Sequence, residues 1–200
     1  VATTLFVGSL GFDANATIVG TAHDMSGLPW NVGADLCEVC HTPHNANPGY
    51  PALWDHQVTS SAFTPYPGGG TMNATPGAPS GVSILCLSCH DGTVALENYG
   101  GVITGTNFVA GAANLGTNLS NDHPISFQYN AALATADGEL WNPVTQPSGL
   151  GGTIAVDMLF GAANDQMHCA SCHDVHDNTF GFFLLKNNAS SALCLTCHNK

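Results

Sequence analysis

Apolar and polar positions alternate along this 200-residue chain without settling into long periodic segments of either helical or strand type. Residues 45–85 are broken by turn formers, including Tyr66-Pro-Gly-Gly-Gly70 and Pro76-Gly-Ala-Pro79, and read as loop. Residues 99–120 mix Gly, Thr, Asn and Val, which suits a short hairpin or a surface loop. Asn121–Tyr129 is the one strongly patterned stretch outside the cysteine motifs described below, and residues 189–198 predict a short helix capped near Asn188. No apolar run approaches the roughly eighteen residues of a membrane span. The expectation is a loop-rich, mostly irregular chain with a few short α-helices and minimal β structure. No linker divides it, so residues 1–200 read as one domain, with 1–36 as an N-terminal arm free to reach into this or a neighbouring subunit.

Composition sharpens this picture. The chain has 23 Gly and 11 Pro but only 9 Phe, 4 Tyr and 3 Trp, too few large side chains to build the core expected at this length. Something other than side chains must supply apolar surface. Fourteen acidic residues face two lysines, Lys186 and Lys200, for a formal net charge of −12. Nucleic acid is excluded as a partner, because there is no basic footprint. Charged residues make up only 8% of the chain, against about 25–35% of an ordinary soluble surface. Self-association or glycans would account for that. Sequons at Asn15, Asn73, Asn118 and Asn188 arise easily by chance in so Asn- and Thr-rich a chain.

All eight cysteines fall in four copies of Cys-x-x-Cys-His: Cys37/Cys40/His41, Cys86/Cys89/His90, Cys169/Cys172/His173 and Cys194/Cys197/His198. The pattern reads as c-type haem attachment, with two thioethers to the haem vinyls and the imidazole on the iron. Residues at i, i+3 and i+4 share one helical face, so a single turn presents all three groups to one porphyrin. A zinc ribbon or a disulfide scaffold is the alternative, and Cys169–Cys197 is spaced almost like a four-cysteine zinc site. Neither alternative needs a histidine after every second cysteine. The chain is therefore expected to wrap around four covalently attached haem c groups. The steps between motifs, 49, 83 and 25 residues, exclude a simple repeat.

Six histidines remain for four distal positions. His44 and His176 each follow a motif histidine by three residues, too close to reach round their own haem but able to ligate a neighbouring one. His123, held extended by Pro124, suits a ligand on a loop. His23 lies far upstream on an arm free to reach a haem in this or another subunit. His56 is the reserve, with Asp55 or Trp54 able to engage it structurally instead. His168, beside Cys169, is expected to meet a propionate or solvent. With enough histidines, Met25, Met72, Met158 and Met167 revert to packing. Asp24, Asp35 and Asp91 are candidates for orienting ligand imidazoles.

Cys40-His-Thr-Pro-His44, Leu53-Trp-Asp-His56, Leu85–Ala95, Asp122–Phe127 and Cys169–His176 resemble the paired-CxxCH multihaem cytochromes. Among them the chain, from about residue 20 onward, is similar to the filament-forming tetrahaem outer-membrane cytochromes of metal-reducing bacteria. That resemblance implies a head-to-tail homopolymer, an extracellular filament of bis-histidine haems that passes electrons from upstream cytochromes to extracellular acceptors. It also implies a distal histidine donated across the subunit boundary, a role that falls on His23. Haem attachment takes place outside the cytoplasm, and Val1–Val7 lacks a leader's basic region, so an exported, mature, non-integral protein is expected. A soluble periplasmic shuttle is the alternative, although two lysines leave little for docking acidic partners. An enzyme would need an open iron position, which spare histidines for every site argue against.

Overall fold

The structure, a computed structural model, describes residues 17–200. Val1–Val7 and Asn15 lie outside the described residues, as does the first part of the N-terminal arm. The chain is loop-rich, with short helices at Gly81–His90 (α1), Ala131–Asp137 (α2), Ile154–Asp157 (α3) and Cys194–Cys197 (α4). Its small antiparallel sheet pairs Phe127–Gln128 (β1) with Gln166–Met167 (β2), in the register Phe127 to Met167. Single 3₁₀ turns occur at Gly111–Ala113, Cys169–Ser171 and Ala189–Ser191. Among the described residues, no helix is long and apolar enough to cross a membrane.

The patterned stretch does become β1, and its neighbours build the main apolar cluster. Phe127, Tyr129, Ala134, Ile154, Met158, Leu159, Met167 and Leu193 bury one another there. Tyr129 donates its hydroxyl proton to the Trp141 carbonyl at 2.6 Å, which lets a phenol sit deep in the cluster. Met158 and Met167 are packing residues, as expected. Asn130 caps α2 by accepting from Leu133 N at 2.9 Å, and Gly138, at φ 75°, ends it in the left-handed region.

The longest helix, α1, carries the second motif and stops at Asp91-Gly92. Its buried face is half polar: Ser83 and Ser88 are buried with Leu85 and Leu87. Ser88 Oγ donates to the Ile84 carbonyl at 2.7 Å and accepts from Thr59 N at 3.1 Å. Buried Asp91 accepts from the Thr59 hydroxyl at 2.6 Å and from Thr93 N at 2.7 Å. Residues 99–120 form no hairpin; they run as loop, joined to the rest by a bridge from Thr64 to Asn118. The predicted helix over 189–198 is broken in two, because Ser190 takes a left-handed φ of 54°. Asn188 stands before the first piece, and its side chain ties the two together by accepting from Leu193 N at 3.0 Å.

Candidate haem sites

Each motif folds as the single turn its spacing demands. The histidine N–H closes back on the first cysteine's carbonyl at 2.8 Å in His41, 3.1 Å in His173 and 3.0 Å in His198, while the second motif is the last turn of α1. The turns are held at their start by side chains. Asp35 accepts from Cys37 N and Glu38 N at 2.7 and 2.9 Å, and Ser83 Oγ from Cys169 N at 3.1 Å. With no long helix to carry three of the four motifs, such caps set where each cysteine pair points.

The imidazoles are aimed by the main chain. Nδ1 meets a carbonyl oxygen in His41 (Ala52, 2.6 Å), His90 (Ala113, 2.7 Å), His173 (Phe182, 2.9 Å) and His123 (Pro124, 2.9 Å). A carbonyl can only accept, so each Nδ1 carries the proton and each Nε2 keeps a free lone pair, the tautomer an axial ligand requires. His176 Nδ1 reaches the Asp174 carboxylate at 3.2 Å. Asp174 thus has the orienting role that Asp24, Asp35 and Asp91 were expected to fill. Those three instead bind backbone and hydroxyl groups: Asp24 holds Gly20 N and Ser26, Asp35 caps the first motif, and Asp91 ties Thr59 to Thr93.

The rings also come in pairs. An iron between two imidazole nitrogens, with bonds of about 2 Å on each side, separates the ring centroids by roughly 6.3 Å. His23 and His90 lie 6.0 Å apart, His41 and His176 6.1 Å, and His123 and His198 6.5 Å. The ring planes are near-parallel in the second pair, at 23°, and near-perpendicular in the other two, at 80° and 79°. His23 was assigned a role across the subunit boundary; here it meets a motif histidine of its own chain and stacks on Phe183 at 4.5 Å. Its Nδ1 is buried with no partner among the described residues, and burial, followed by His90, lowers its pKa from 6.5 to about 4. A neutral, underused imidazole facing a motif histidine fits an axial ligand. His44 and His173 are both exposed. Among the described residues no three His, Cys, Asp or Glu side chains converge as a metal cage. Imidazoles paired at this separation beside cysteine turns suit haem.

The thiols show which motifs are neighbours. Burial raises Cys40 to about 11, with Cys37 adding to the effect, and Cys89 to about 12, with Cys40 next. Burial likewise raises Cys172 to about 11 and Cys197 to about 12, and each feels the other motif's cysteines, Cys194 and Cys172 respectively. Cys86 and Cys169 act on one another, which lowers Cys169 and raises Cys86. The motifs therefore adjoin in chain order, first to second through Cys40 and Cys89, second to third through Cys86 and Cys169, and third to fourth through Cys172 and the last pair.

The two remaining histidines are structural. His56 is 1% exposed, with Nδ1 3.0 Å from the Gln57 carbonyl and Nε2 3.1 Å from that of Ala95, so main chain encloses its ring. Its Nε2 also lies 3.5 Å from Cys89 Sγ, so it buttresses the second motif. Of the two fates expected for His168, a propionate contact or solvent, the structure excludes solvent. It is 5% exposed, with Nδ1 bonded to Ser83 Oγ at 2.9 Å, and it joins α1 to the third motif. Gly81 makes this possible: a Cβ there would sit 2.7 Å from His168 Nε2.

Residues 161–200, which carry the third and fourth motifs, match the family described as the doubled CXXCH motif. The match supports a multihaem c-type cytochrome. It indicates covalent haem c at the motif and a part in electron transfer. No curated protein matches the chain.

Proposed function

We propose that the chain holds four haem c groups, each between two histidines, and conducts electrons along them as the repeating unit of an extracellular head-to-tail filament. The observation that carries this reading is the set of three opposed ring pairs at the separation an iron demands. We assign His44 and His173 as the fourth pair. His41 of the first motif already faces His176 beyond the third, so the reciprocal partners, one beyond the first motif and one within the third, complete a crossed clamp. Bound haem would supply a one-electron iron couple at each motif. The residues do the rest: the cysteine turns would anchor each group, one imidazole of each pair would come from the motif and the other from a loop, and with both iron positions so taken the protein would transfer electrons and not act as an enzyme.

Low charge and exposed apolar side chains support polymerisation. Val32 and Phe182 are 92% and 87% exposed, and head-to-tail contacts that do not close give open helical filaments. A soluble periplasmic tetrahaem shuttle is the second reading. It is favoured by His23 facing His90 within its own chain, since no neighbour is then needed to finish a haem.

Mass spectrometry should find four haem additions, and electron paramagnetic resonance of the oxidised protein should separate the axial pairs. Near-perpendicular ligand planes at two sites give strongly anisotropic low-spin signals, and the near-parallel site gives a rhombic one. High-spin iron in the purified protein would defeat the bis-histidine reading. Uniform filaments in electron microscopy of the untagged protein support the polymer; monodisperse particles under all conditions leave the shuttle.

A further inference from the structure

The chain has two lysines, and they are placed very differently. Lys200 is spent on the surface, paired at 2.5 Å with Glu139. Lys186 is half-buried, and among the described residues it pairs with no carboxylate. Its Nζ donates to the Ser148 carbonyl at 2.6 Å and to Thr196 Oγ1 at 2.9 Å. Thr196 is the third residue of the last motif, between the two haem-bearing cysteines. Gly149 leaves the room: a Cβ there would lie 2.9 Å from Nζ. The nearby carboxylate of Asp157 is occupied with the Ser148 hydroxyl and Gly152 N. An ammonium is thus fixed against the thioether edge of the fourth motif. The first motif is surrounded by the opposite sign. Glu38 lies within it, Asp35 caps it, and Glu38, Asp35 and Asp55 all act on neighbouring Tyr99.

We infer that Lys186 is an electrostatic positioning residue that sets the reduction potential at the fourth motif above that at the first, giving the chain a built-in direction for electrons. The inference rests on the haem-binding reading above. The physical reason is that oxidation of a haem iron adds one positive charge. A fixed cation at contact range disfavours that charge and fixed carboxylates favour it, most strongly where water is partly excluded. At the His198 side Lys200 is paired with Glu139, which leaves Asp137 as the opposing charge there, and Lys186 is the cation held on the cysteine turn itself.

The test is a redox titration of the four-haem protein followed by NMR, with each haem's methyl resonances assigned through its axial histidine. Wild type should show a higher midpoint at the His198 haem than at the His41 haem. Lys186→Gln, whose amide can still bond Ser148 and Thr196, should lower the midpoint at His198 alone, and Lys186→Arg should restore it. Haem mass and low-spin spectra separate the two possible failures: missing haems or high-spin iron would defeat the ligand assignment, whereas four low-spin haems with an unmoved His198 midpoint would overturn this inference. Should Lys186→Gln fail to load four haems, exposed Glu38→Gln serves instead. It should raise the His41 midpoint and narrow the gap, and no rise there would overturn the direction.

Discussion

Residues 17–120, with the first two motifs, and residues 121–200, with the last two, are buried in different ways. The later region owns the apolar cluster around Ile154, Tyr129 and Met158. The earlier one buries Ile18, Val39, Leu85, Leu87, Val94, Ala95 and Leu119 outside that cluster, beside as many polar residues: Asn31, His56, Thr59, Ser83, Ser88, Asp91 and Asn98. One half is held by side-chain packing, the other by a hydrogen-bonded frame. Apolar groups dispersed among buried polar ones gain less from water exclusion than a joined cluster does. The lesson is that cofactor dependence need not be uniform along a multihaem chain.

The largest expected effect comes from removing the cofactors. In a chain with all eight cysteines changed to serine, backbone amides of 17–120 should exchange near the unfolded rate, while those around β1, α3 and β2 keep measurable protection. Equal exchange in both regions would erase the contrast. Next, Ile154→Ala in the loaded protein should lower stability by about 2–5 kcal/mol through the cavity it leaves, read from denaturant unfolding. Asp91→Ala should cost less, about 1–3 kcal/mol, by stranding the Thr59 and Thr93 hydroxyls, and its added exchange should be confined to the earlier region. A larger loss than at Ile154 would reverse the ranking.

The smallest effect is also the most diagnostic, because the regions should fail at opposite ends of the pH scale. Burial lowers the pKa of His56 from 6.5 despite its carbonyl neighbours, so the unfolded chain takes up a proton the folded one declines. That stability is present above pH 6.5 and is lost as pH falls toward the folded value. Burial, with Cys197 adding to it, raises Tyr129 above 10, so its contribution is complete below pH 10 and is lost as pH rises beyond it. Region-resolved exchange against pH should show an acid limb flattened by His56→Gln and an alkaline limb flattened by Tyr129→Phe.

Much of this architecture was legible in the residues. The motif turns, the scarcity of regular structure and the loop from 45 as far as 80 follow from local chemistry that a one-dimensional reading captures; the expected loop over 81–85 is instead the first half of α1. The ring pairs were not legible, because His41 and His176, or His23 and His90, are brought together by long loops with no periodicity to register them. His168 misled because a neighbour of Cys169 looks exposed; the clue was Gly81, a helix-starting glycine whose missing side chain is the space His168 fills. The orienting aspartates misled for a different reason. Carboxylates near histidines are visible in a sequence, whereas the carbonyls of Ala52, Ala113 and Phe182 that bind the rings belong to every residue and carry no signature.

Those carbonyls have a consequence for the history of such chains. A ligand aimed by an oxygen that all twenty amino acids possess imposes almost no demand on the identity of the residue supplying it. Substitutions between the motifs can then accumulate while the wiring stays in place, provided the loop's path is kept. Descendants of one ancestor would share cysteines and histidines and little else, so kinship among them is better sought in the order and orientation of imidazole pairs than in aligned letters.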